Sequence, residues 1–496
     1  LESKNIQIGE TTVSVWALPE QLHLGQFALK VTGEVLPRLN DYFGLPYPYP
    51  KLDLVAAPNF AMGAMENWGA IFFRDSCLLL DETYSSTATQ RHVANVITHE
   101  IVHQWFGNLV TMKWWDDLWL NESFATWLAC KIVDQWRPEW NSWVEFQQEK
   151  EIPLTTDALT HTRPIQSEVQ SAAQIEEMFD ALTYEKGAAC LRMMESFLGE
   201  ETFRDGIRDY IKKFQYQNAP SEALWDALTA ASGQPVGTIA KDWFTQPGFP
   251  LLTIHSDPND ARSVIIEQKR FRTVADPFDW ERWVIPFTFK YQDARGIHKE
   301  RILLKDPVTA FYLPEPVSLL YGNADEAGYL RVNYDSSLRT NLETNLPGFL
   351  NPSERIGYLG HLWALTLSGT LPLDQFLDTL CRFRGDDTRV VIEVMVQYLE
   401  TLANQMVKPE DISSFQALVS HLMKTIFQDL GWESPGKTDE EESLTRAALL
   451  WGLGGLAEDE DILAELPRRQ TRYWAIPSSL EPTLATPLMR LCARFD

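Results

Sequence analysis

Cysteine is scarce in this sequence, and its few copies lack the pattern of a disulfide framework. The 496 residues contain 5 cysteines, an odd number, and no two of them form a CxxC pair. Disulfide-stapled domains and cysteine zinc sites both need closely spaced sets of cysteines. We therefore expect buried free thiols in a reducing compartment, and on this ground we predict a cytoplasmic location.

Positive charge and long apolar runs are also in short supply. The chain has 43 Lys and Arg against 69 Asp and Glu, a net charge of -26. Nucleic acid is therefore not expected as a partner, because phosphate binding requires clustered Lys and Arg. No apolar run approaches the roughly 18 residues that span a bilayer, so no membrane span is predicted. The chain starts at Leu1 with neither an initiator Met nor a signal-like apolar block, and we expect a longer parent protein.

Length and periodicity predict a multidomain α+β fold. At 496 residues, 45% of them hydrophobic, the chain is long enough for about three or four folding units. Residues 11–18 alternate like a strand, and residues 1–20 are interpreted as the remnant of an N-terminal β domain. Apolar spacing is helical from Gly25 to Phe43 and from His92 to about Phe244, with a short apolar strand predicted at Leu52 to Ala56, and we interpret residues 21–248 as one mostly helical domain. Prolines are predicted to separate its helices: Pro138, Pro153, Pro164 and Pro220.

The second half of the chain changes period twice. Short strand-like runs between turn residues predict a small β-sandwich over residues 249–336. Helical periodicity returns over residues 337–496, which we interpret as an incomplete superhelical domain.

The segment His99-Glu100-Ile101-Val102-His103 lies inside an apolar helical pattern. Residues four apart on a helix lie one above the other, so both imidazoles can bind one metal ion. After a further 18 residues, Glu122 begins a second helical pattern. Its carboxylate can complete a His2Glu zinc site whose fourth position is open to water. We predict one zinc ion per chain, held by His99, His103 and Glu122.

Glu100 lies between the two histidines but off the face that they share. Zinc lowers the pKa of its bound water towards about 7, so a neighbouring carboxylate can accept the proton of that water at neutral pH. Glu100 is therefore predicted to be the general base of a hydrolytic reaction.

Further segments follow in a recognisable order. They are Gly63-Ala64-Met65-Glu66-Asn67, Trp114 to Glu122, Tyr184-Glu185-Lys186-Gly187-Ala188 and Gln246-Pro247-Gly248-Phe249-Pro250. With these motifs the sequence resembles the zinc aminopeptidases of the aminopeptidase N family, a branch of the gluzincins. The resemblance implies a thermolysin-like catalytic domain and peptide substrates with a free N-terminus.

The resemblance also implies roles for individual residues. Glu66 would bind the α-ammonium group of the substrate, and Tyr184 would donate a hydrogen bond to the oxyanion. The substrate-binding segment would comprise Gly63, Ala64, Met65, Glu66 and Asn67. Phe60, Ala61 and Met62 are expected to line the pocket for the first side chain.

Three further features concern the surroundings of the site. Asp117 and Asn121 are candidates for orienting the metal ligands. Ser123 occupies a position where many members of the family that this sequence resembles have Gly. We do not expect this difference to abolish activity. The N-terminal domain that supplies a second amine anchor in the family is expected to be missing.

Other functions stay open on sequence alone. A thermolysin-type endopeptidase shares HExxH and the downstream Glu, but it does not need the segment around Glu66. A bifunctional epoxide hydrolase is a variant known among relatives. In a third interpretation, the chain binds zinc and peptide without cleaving the peptide.

Overall fold

A computed structural model describes residues 1–274, 281–433 and 439–495. The chain divides into two compact units. The larger unit comprises Leu1–Leu80 and His92–Leu371, and the smaller unit comprises Asp81–Arg91 and Pro372–Asp496. All residues predicted to form the site belong to the larger unit.

The first sheet of the larger unit carries the segment around Glu66. Its strands are β1 (Glu2–Ile8), β2 (Thr11–Ala17), β3 (Lys51–Ala57), β4 (Ala64–Met65) and β5 (Ala70–Arg74). The spatial order is β1-β2-β3-β5-β4, with β2, β3 and β5 parallel and β4 antiparallel to β5. The strand predicted at residues 11–18 corresponds to β2, which pairs with β1 on one side and β3 on the other. The sequence did not predict β1, because its polar residues show no apolar alternation.

Helices dominate the chain from residue 26 to residue 244, as predicted. They are α1 (Gln26–Phe43), α2 (Thr87–Val102), α3 (Trp119–Trp136), α4 (Ser142–Asp157), α5 (Ala172–Glu177), α6 (Gly187–Leu198), α7 (Glu200–Phe214), α8 (Ser221–Ser232) and α9 (Val236–Phe244). Two short parallel strands lie among them, β6 (Val110–Met112) and β7 (Gln217–Ala219).

The prediction that Pro153 ends a helix was wrong. The helix α4 continues through Pro153, which lies on its buried face together with Phe146, Lys150 and Leu154. Proline in a helix interior removes one backbone hydrogen bond. Here the helix continues across that defect, with apolar and polar side chains buried along the same face.

Aromatic side chains fill the core beneath the site. The rings of Phe106 and Phe124 stack with centroids 3.5 Å apart. Phe43 packs on both of them, at 6.2 and 6.5 Å, and Tyr210 packs on Phe106 at 5.5 Å. These contacts fix α1, α3 and α7 around the chain that leaves α2, and so hold the two segments that carry the predicted metal ligands.

The strands predicted across residues 251–334 form two small sheets. They are β8 (Pro250–Ser256), β9 (Ser263–Arg270), β10 (Ile285–Asp293), β11 (Gly296–Leu304), β12 (Val308–Tyr312), β13 (Leu319–Gly322) and β14 (Arg331–Tyr334). One sheet has the order β12-β9-β8-β14 and the other β11-β10-β13. Phe289 of β10 meets Phe311 of β12 edge to face at 5.3 Å, so side chains of the two sheets pack together.

Helices return after β14, as predicted. The larger unit ends with α10 (Ser336–Thr344), α11 (Leu346–Phe349) and α12 (Pro352–Leu367). The smaller unit contains α13 (Leu373–Arg382), α14 (Arg389–Gln405), α15 (Ile412–Leu430), α16 (Glu440–Leu450), α17 (Glu460–Ala475) and α18 (Pro482–Phe495). Within the described residues, no helix combines the length and apolar character needed to cross a membrane.

Candidate metal and substrate site

The predicted metal ligands lie together at the meeting of two helices. His99 is in the last turn of α2, His103 follows that helix directly, and Glu122 is in the first turn of α3. His99 Nε2 lies 3.0 Å from His103 Nε2 and 3.3 Å from Glu122 Oε2, and His103 Nε2 lies 3.5 Å from the same oxygen. Ligands of a tetrahedral zinc ion are about 3.3 Å apart, given bonds of about 2.0–2.1 Å. The three side chains therefore fit a zinc ion.

The remaining imidazole nitrogens have partners that the sequence did not reveal. His103 Nδ1 lies 3.0 Å from the carbonyl oxygen of Phe106, and His99 Nδ1 lies 3.4 Å from Thr126 Oγ1. A hydrogen bond at Nδ1 fixes the ring and leaves Nε2 available for the metal. Thr126 is one helical turn after Glu122 in α3, a spacing from which its position near the site could have been inferred.

Asp117 does not orient the metal ligands, so that prediction was wrong. Its carboxylate accepts hydrogen bonds from Gln166 Nε2 at 2.8 Å and from the backbone N–H of Ser221 at 3.1 Å. It thus ties loops together beside the start of α3. Asn121 is buried and lies close to His103, because both side chains border Gly107. A Cβ atom added to Gly107 would lie 3.1 Å from Asn121 Nδ2 and 3.3 Å from His103 Nδ1.

Burial and neighbouring charges act differently on the three ligands. Burial lowers the pKa of His99. Burial opposes the charge on His103 as well, but the carboxylates of Glu66 and Glu122 outweigh it and raise the pKa to about 10. Burial would raise the pKa of Glu122, yet His103 and His99 hold it well below its usual range. Because histidine binds a metal ion as neutral imidazole, the raised pKa of His103 makes metal affinity at this site depend on pH.

Glu100 is a buried carboxylate with free hydrogen-bonding capacity. Its side chain is 6% exposed, and its Oε2 has no hydrogen-bond partner among the described residues. Burial raises the pKa of Glu100 to about 8. The charge of His103 lowers this pKa, and the negative charges of Glu66 and Glu122 raise it. A carboxylate in this environment readily takes up a proton.

Tyr184 lies against the ligands in a π-helical turn, Leu182–Lys186. Its ring stacks on the imidazole of His99 with centroids 6.0 Å apart. Burial, and then the charge of Glu122, raise the pKa of the Tyr184 phenol well above its usual range. The hydroxyl therefore stays protonated and can act as a hydrogen-bond donor.

Lys186, two residues later, is a structural residue of the same turn. Its Nζ lies 2.7 Å from Asp157 Oδ2 and donates to the carbonyl oxygen of Gly248 at 3.1 Å, and both charged side chains are fully buried. Gly248 N–H donates in turn to Asp157 Oδ1 at 2.8 Å. The segments around Tyr184 and Gly248 are therefore held together through Asp157, which sequence reasoning missed.

The segment around Glu66 forms an edge strand. Ala64 and Met65 of β4 pair with Phe73 and Phe72 of β5. No strand pairs with the other side of β4 within the described chain. An exposed edge of this kind can pair with the backbone of an extended peptide.

Two carboxamides fix the main chain at Glu66. Its carbonyl oxygen accepts hydrogen bonds from Gln104 Nε2 at 3.2 Å and Asn108 Nδ2 at 2.8 Å. Gln104 Oε1 accepts from the backbone N–H of Gly69 at 3.2 Å. Gln104 immediately follows His103, so these bonds connect the metal ligands to the edge strand. In the sequence, Gln104 is a polar residue within an apolar stretch, and this feature could have indicated its role.

Arg74 holds the predicted pocket segment before β4. Its guanidinium donates hydrogen bonds to the carbonyl oxygens of Phe60 at 3.0 Å and Ala61 at 2.5 Å. Its backbone N–H donates to the carbonyl oxygen of Gly63 at 2.8 Å. Met62 between them is 51% exposed. The segment thus has a fixed backbone and an accessible side chain.

Comparison with known proteins supports the same family along most of the chain. Residues 27–243 match the Peptidase family M1 domain, and residues 319–495 match the ERAP1-like C-terminal domain. Aminopeptidase M1-A of Oryza sativa subsp. japonica is 35% identical over 471 residues, which are 91% of this chain and 52% of that protein. Aminopeptidase M1 of Arabidopsis thaliana is 34% identical over 475 residues, 91% of this chain and 53% of that protein.

A relative from an archaeon extends the similarity. Leucyl aminopeptidase of Saccharolobus solfataricus is 33% identical over 459 residues, 92% of this chain and 56% of that protein. The chain spans about half the length of the curated relatives it matches. The chain thus contains a Peptidase family M1 domain followed by an ERAP1-like C-terminal domain, and this pair, together with the named relatives, is consistent with the aminopeptidase N family that its sequence resembles.

Proposed function

We propose that this protein is a zinc-dependent aminopeptidase that removes residues from the free N-terminus of peptides. The observation that carries the proposal is the connection of Glu66, which directly follows edge strand β4, to a His2Glu cluster. The contacts of Gln104 and Asn108 with the Glu66 carbonyl make that connection. An endopeptidase has no use for a carboxylate at this place, because an internal peptide bond has no ammonium group to bind.

The charge of Glu66 reaches the reacting groups. Its carboxylate raises the pKa values of His103, Glu100 and Tyr184. A substrate ammonium next to Glu66 would form a charge-assisted hydrogen bond. That bond would place the first peptide carbonyl near Tyr184 and the metal ligands.

His99, His103 and Glu122 would hold the zinc ion, which when bound supplies a Lewis acid that acidifies water and polarises the scissile carbonyl. Glu100 would accept a proton from the attacking water at its unpaired Oε2 and pass it to the leaving amine. Tyr184 would donate its phenolic hydrogen to the oxyanion of the tetrahedral intermediate. Gly63 and Ala64 would present backbone groups to the extended substrate, with Met65 and Asn67 beside it.

We extend the proposal to the architecture and the setting. The domains would be a thermolysin-like domain at 21–248, preceded by the strand segment of residues 1–20, a β-sandwich at 249–336 and a helical domain at 337–496. The packing of the two sheets supports the β-sandwich. The five cysteines, none of which forms a disulfide within the described chain, support a reducing, cytoplasmic compartment.

Amino-acid anilides with a free or an acetylated amine test the proposal, assayed before and after chelation of the metal. We expect cleavage of the free-amine forms only, loss of that cleavage on chelation, and its return with zinc. Cleavage of acetylated forms would indicate an endopeptidase. Bound zinc without cleavage would indicate a chain that binds peptide but does not hydrolyse it.

A further inference from the structure

Ser123 occupies a position where many members of the family that this sequence resembles have glycine. It follows Glu122 in α3 and is fully buried. Its Oγ donates a hydrogen bond to the carbonyl oxygen of Thr183, 60 positions away, at 2.5 Å. Thr183 immediately precedes Tyr184. We propose that Ser123 is a positioning residue that fixes the orientation of Tyr184 relative to the metal ligands.

The space for this hydroxyl is provided by Gly187. A Cβ added at position 187 would lie 1.9 Å from Ser123 Oγ and 2.6 Å from Ser123 Cβ. A side chain at position 187 would therefore force Ser123 or the backbone around it to shift. The Ser123 hydroxyl is packed against the first residue of α6, directly after the turn that carries Tyr184.

The π-helical turn explains why Tyr184 benefits from an added constraint. In this turn Lys186 N–H bonds to the carbonyl of Ala181, five residues back, at 3.0 Å. Such wide turns are rare inside helices and occur often at functional sites. A glycine at position 123 would leave the Thr183 carbonyl without the bond that Ser123 supplies.

The other polar groups of Thr183 are already bound. Its backbone N–H donates to the carbonyl of Asp180 at 3.0 Å, and its Oγ1 accepts from Arg163 Nη2 at 2.7 Å. With Ser123 on its carbonyl, the residue before Tyr184 is fixed at its amide, side chain and carbonyl. A small rotation there would move the phenol away from the oxyanion, and misplacement of about 1 Å at a reacting group is costly to turnover.

The inference rests on the proposed function, because Tyr184 must act on the oxyanion for its orientation to matter. A double-mutant cycle of Ser123→Ala and Tyr184→Phe tests it. Ser123→Ala should lower kcat about fivefold, as expected for one neutral hydrogen bond. KM and zinc content should not change. Tyr184→Phe should lower kcat about a hundredfold, and adding Ser123→Ala to it should cause no further loss.

The outcomes separate this inference from the proposed function. Equal losses from Ser123→Ala in both backgrounds, or no loss in either, would overturn the positioning role while leaving the aminopeptidase intact. An inactive wild-type chain, or full turnover by Tyr184→Phe, would overturn the proposed chemistry and the inference with it. Ser443→Ala is the matched control. Ser443 is also buried, and its Oγ donates a hydrogen bond to the carbonyl oxygen of Asp439 at 2.9 Å.

A size swap tests the packing without any assay of activity. Gly187→Ala should lower the thermal unfolding temperature, because the new methyl group meets Ser123. Ser123→Gly should restore most of that loss in the Gly187→Ala background. Failure of this rescue would contradict the contact on which the positioning role depends.

Discussion

Two glutamates of the site occupy opposite electrostatic environments. Glu100 is buried, its Oε2 has no hydrogen-bond partner in the part of the chain that the structure describes, and burial raises its pKa to about 8. Glu122 is buried as well, but two imidazoles keep it ionised. Carboxylates whose surroundings push their pKa values apart commonly take different roles. This contrast supports the proposed roles, proton transfer for Glu100 and metal binding for Glu122.

Replacing Glu100 by Gln should remove turnover while zinc stays bound. The amide keeps the shape of the side chain but cannot accept the proton of water, and loss of a general base typically lowers kcat by about 10²–10⁴. Steady-state kinetics and metal analysis of Glu100→Gln measure both quantities. Glu201→Gln, an exposed acid on α7, serves as control. A Glu100→Gln variant with near wild-type kcat would rule out this base.

Glu185 should make stability depend on pH. Burial, with Glu149 and Asp180, raises its pKa from 4.5 to about 7. The folded state thus holds this proton more tightly than the unfolded state, so its stabilising effect is complete below pH 4.5 and is lost as pH rises through 7. Glu185→Gln cannot ionise and should lose less thermal stability between pH 5 and pH 8 than wild type. Identical pH dependence in both proteins would contradict this assignment.

Among the secondary-structure elements, local spacing was predictable and long-range contacts were not. Four-residue spacing on α2 placed His99 and His103 on one face, and Glu122 followed from the start of the next helical pattern. The contact between Gln104 and the Glu66 carbonyl joins elements that only the tertiary fold brings together. Strand β1 was missed because an edge strand with polar residues has no apolar alternation.

The pairing of Lys186 with Asp157 joins α4 to the turn that carries Tyr184. Lys186→Met should lower the free energy of unfolding by about 3–5 kcal/mol, because it leaves a buried carboxylate unpaired. Denaturant unfolding measures the loss. The exposed pair Lys299–Asp325 offers the matched control, and Lys299→Met should cost no more than about 1 kcal/mol. Similar losses for the two variants would contradict a structural role for the buried pair.

For the whole molecule, every group proposed for catalysis lies in Leu1–Leu80 and His92–Leu371. The change from helices to strands near residue 250 and back to helices near residue 336 was readable from periodicity, because the period of apolar residues changes there. The compact units do not follow those changes, since α12 belongs to the larger unit. Compactness depends on contacts between distant segments, which periodicity does not encode.

The most direct test of the central claim is mass spectrometry of the products from one ten-residue peptide, incubated with the zinc-loaded protein in free and N-acetylated forms. An aminopeptidase would give a ladder of products from the free peptide, each shortened by one further residue from the N-terminus, and would leave the acetylated peptide intact. Internal fragments, or equal cleavage of the acetylated form, would contradict this function.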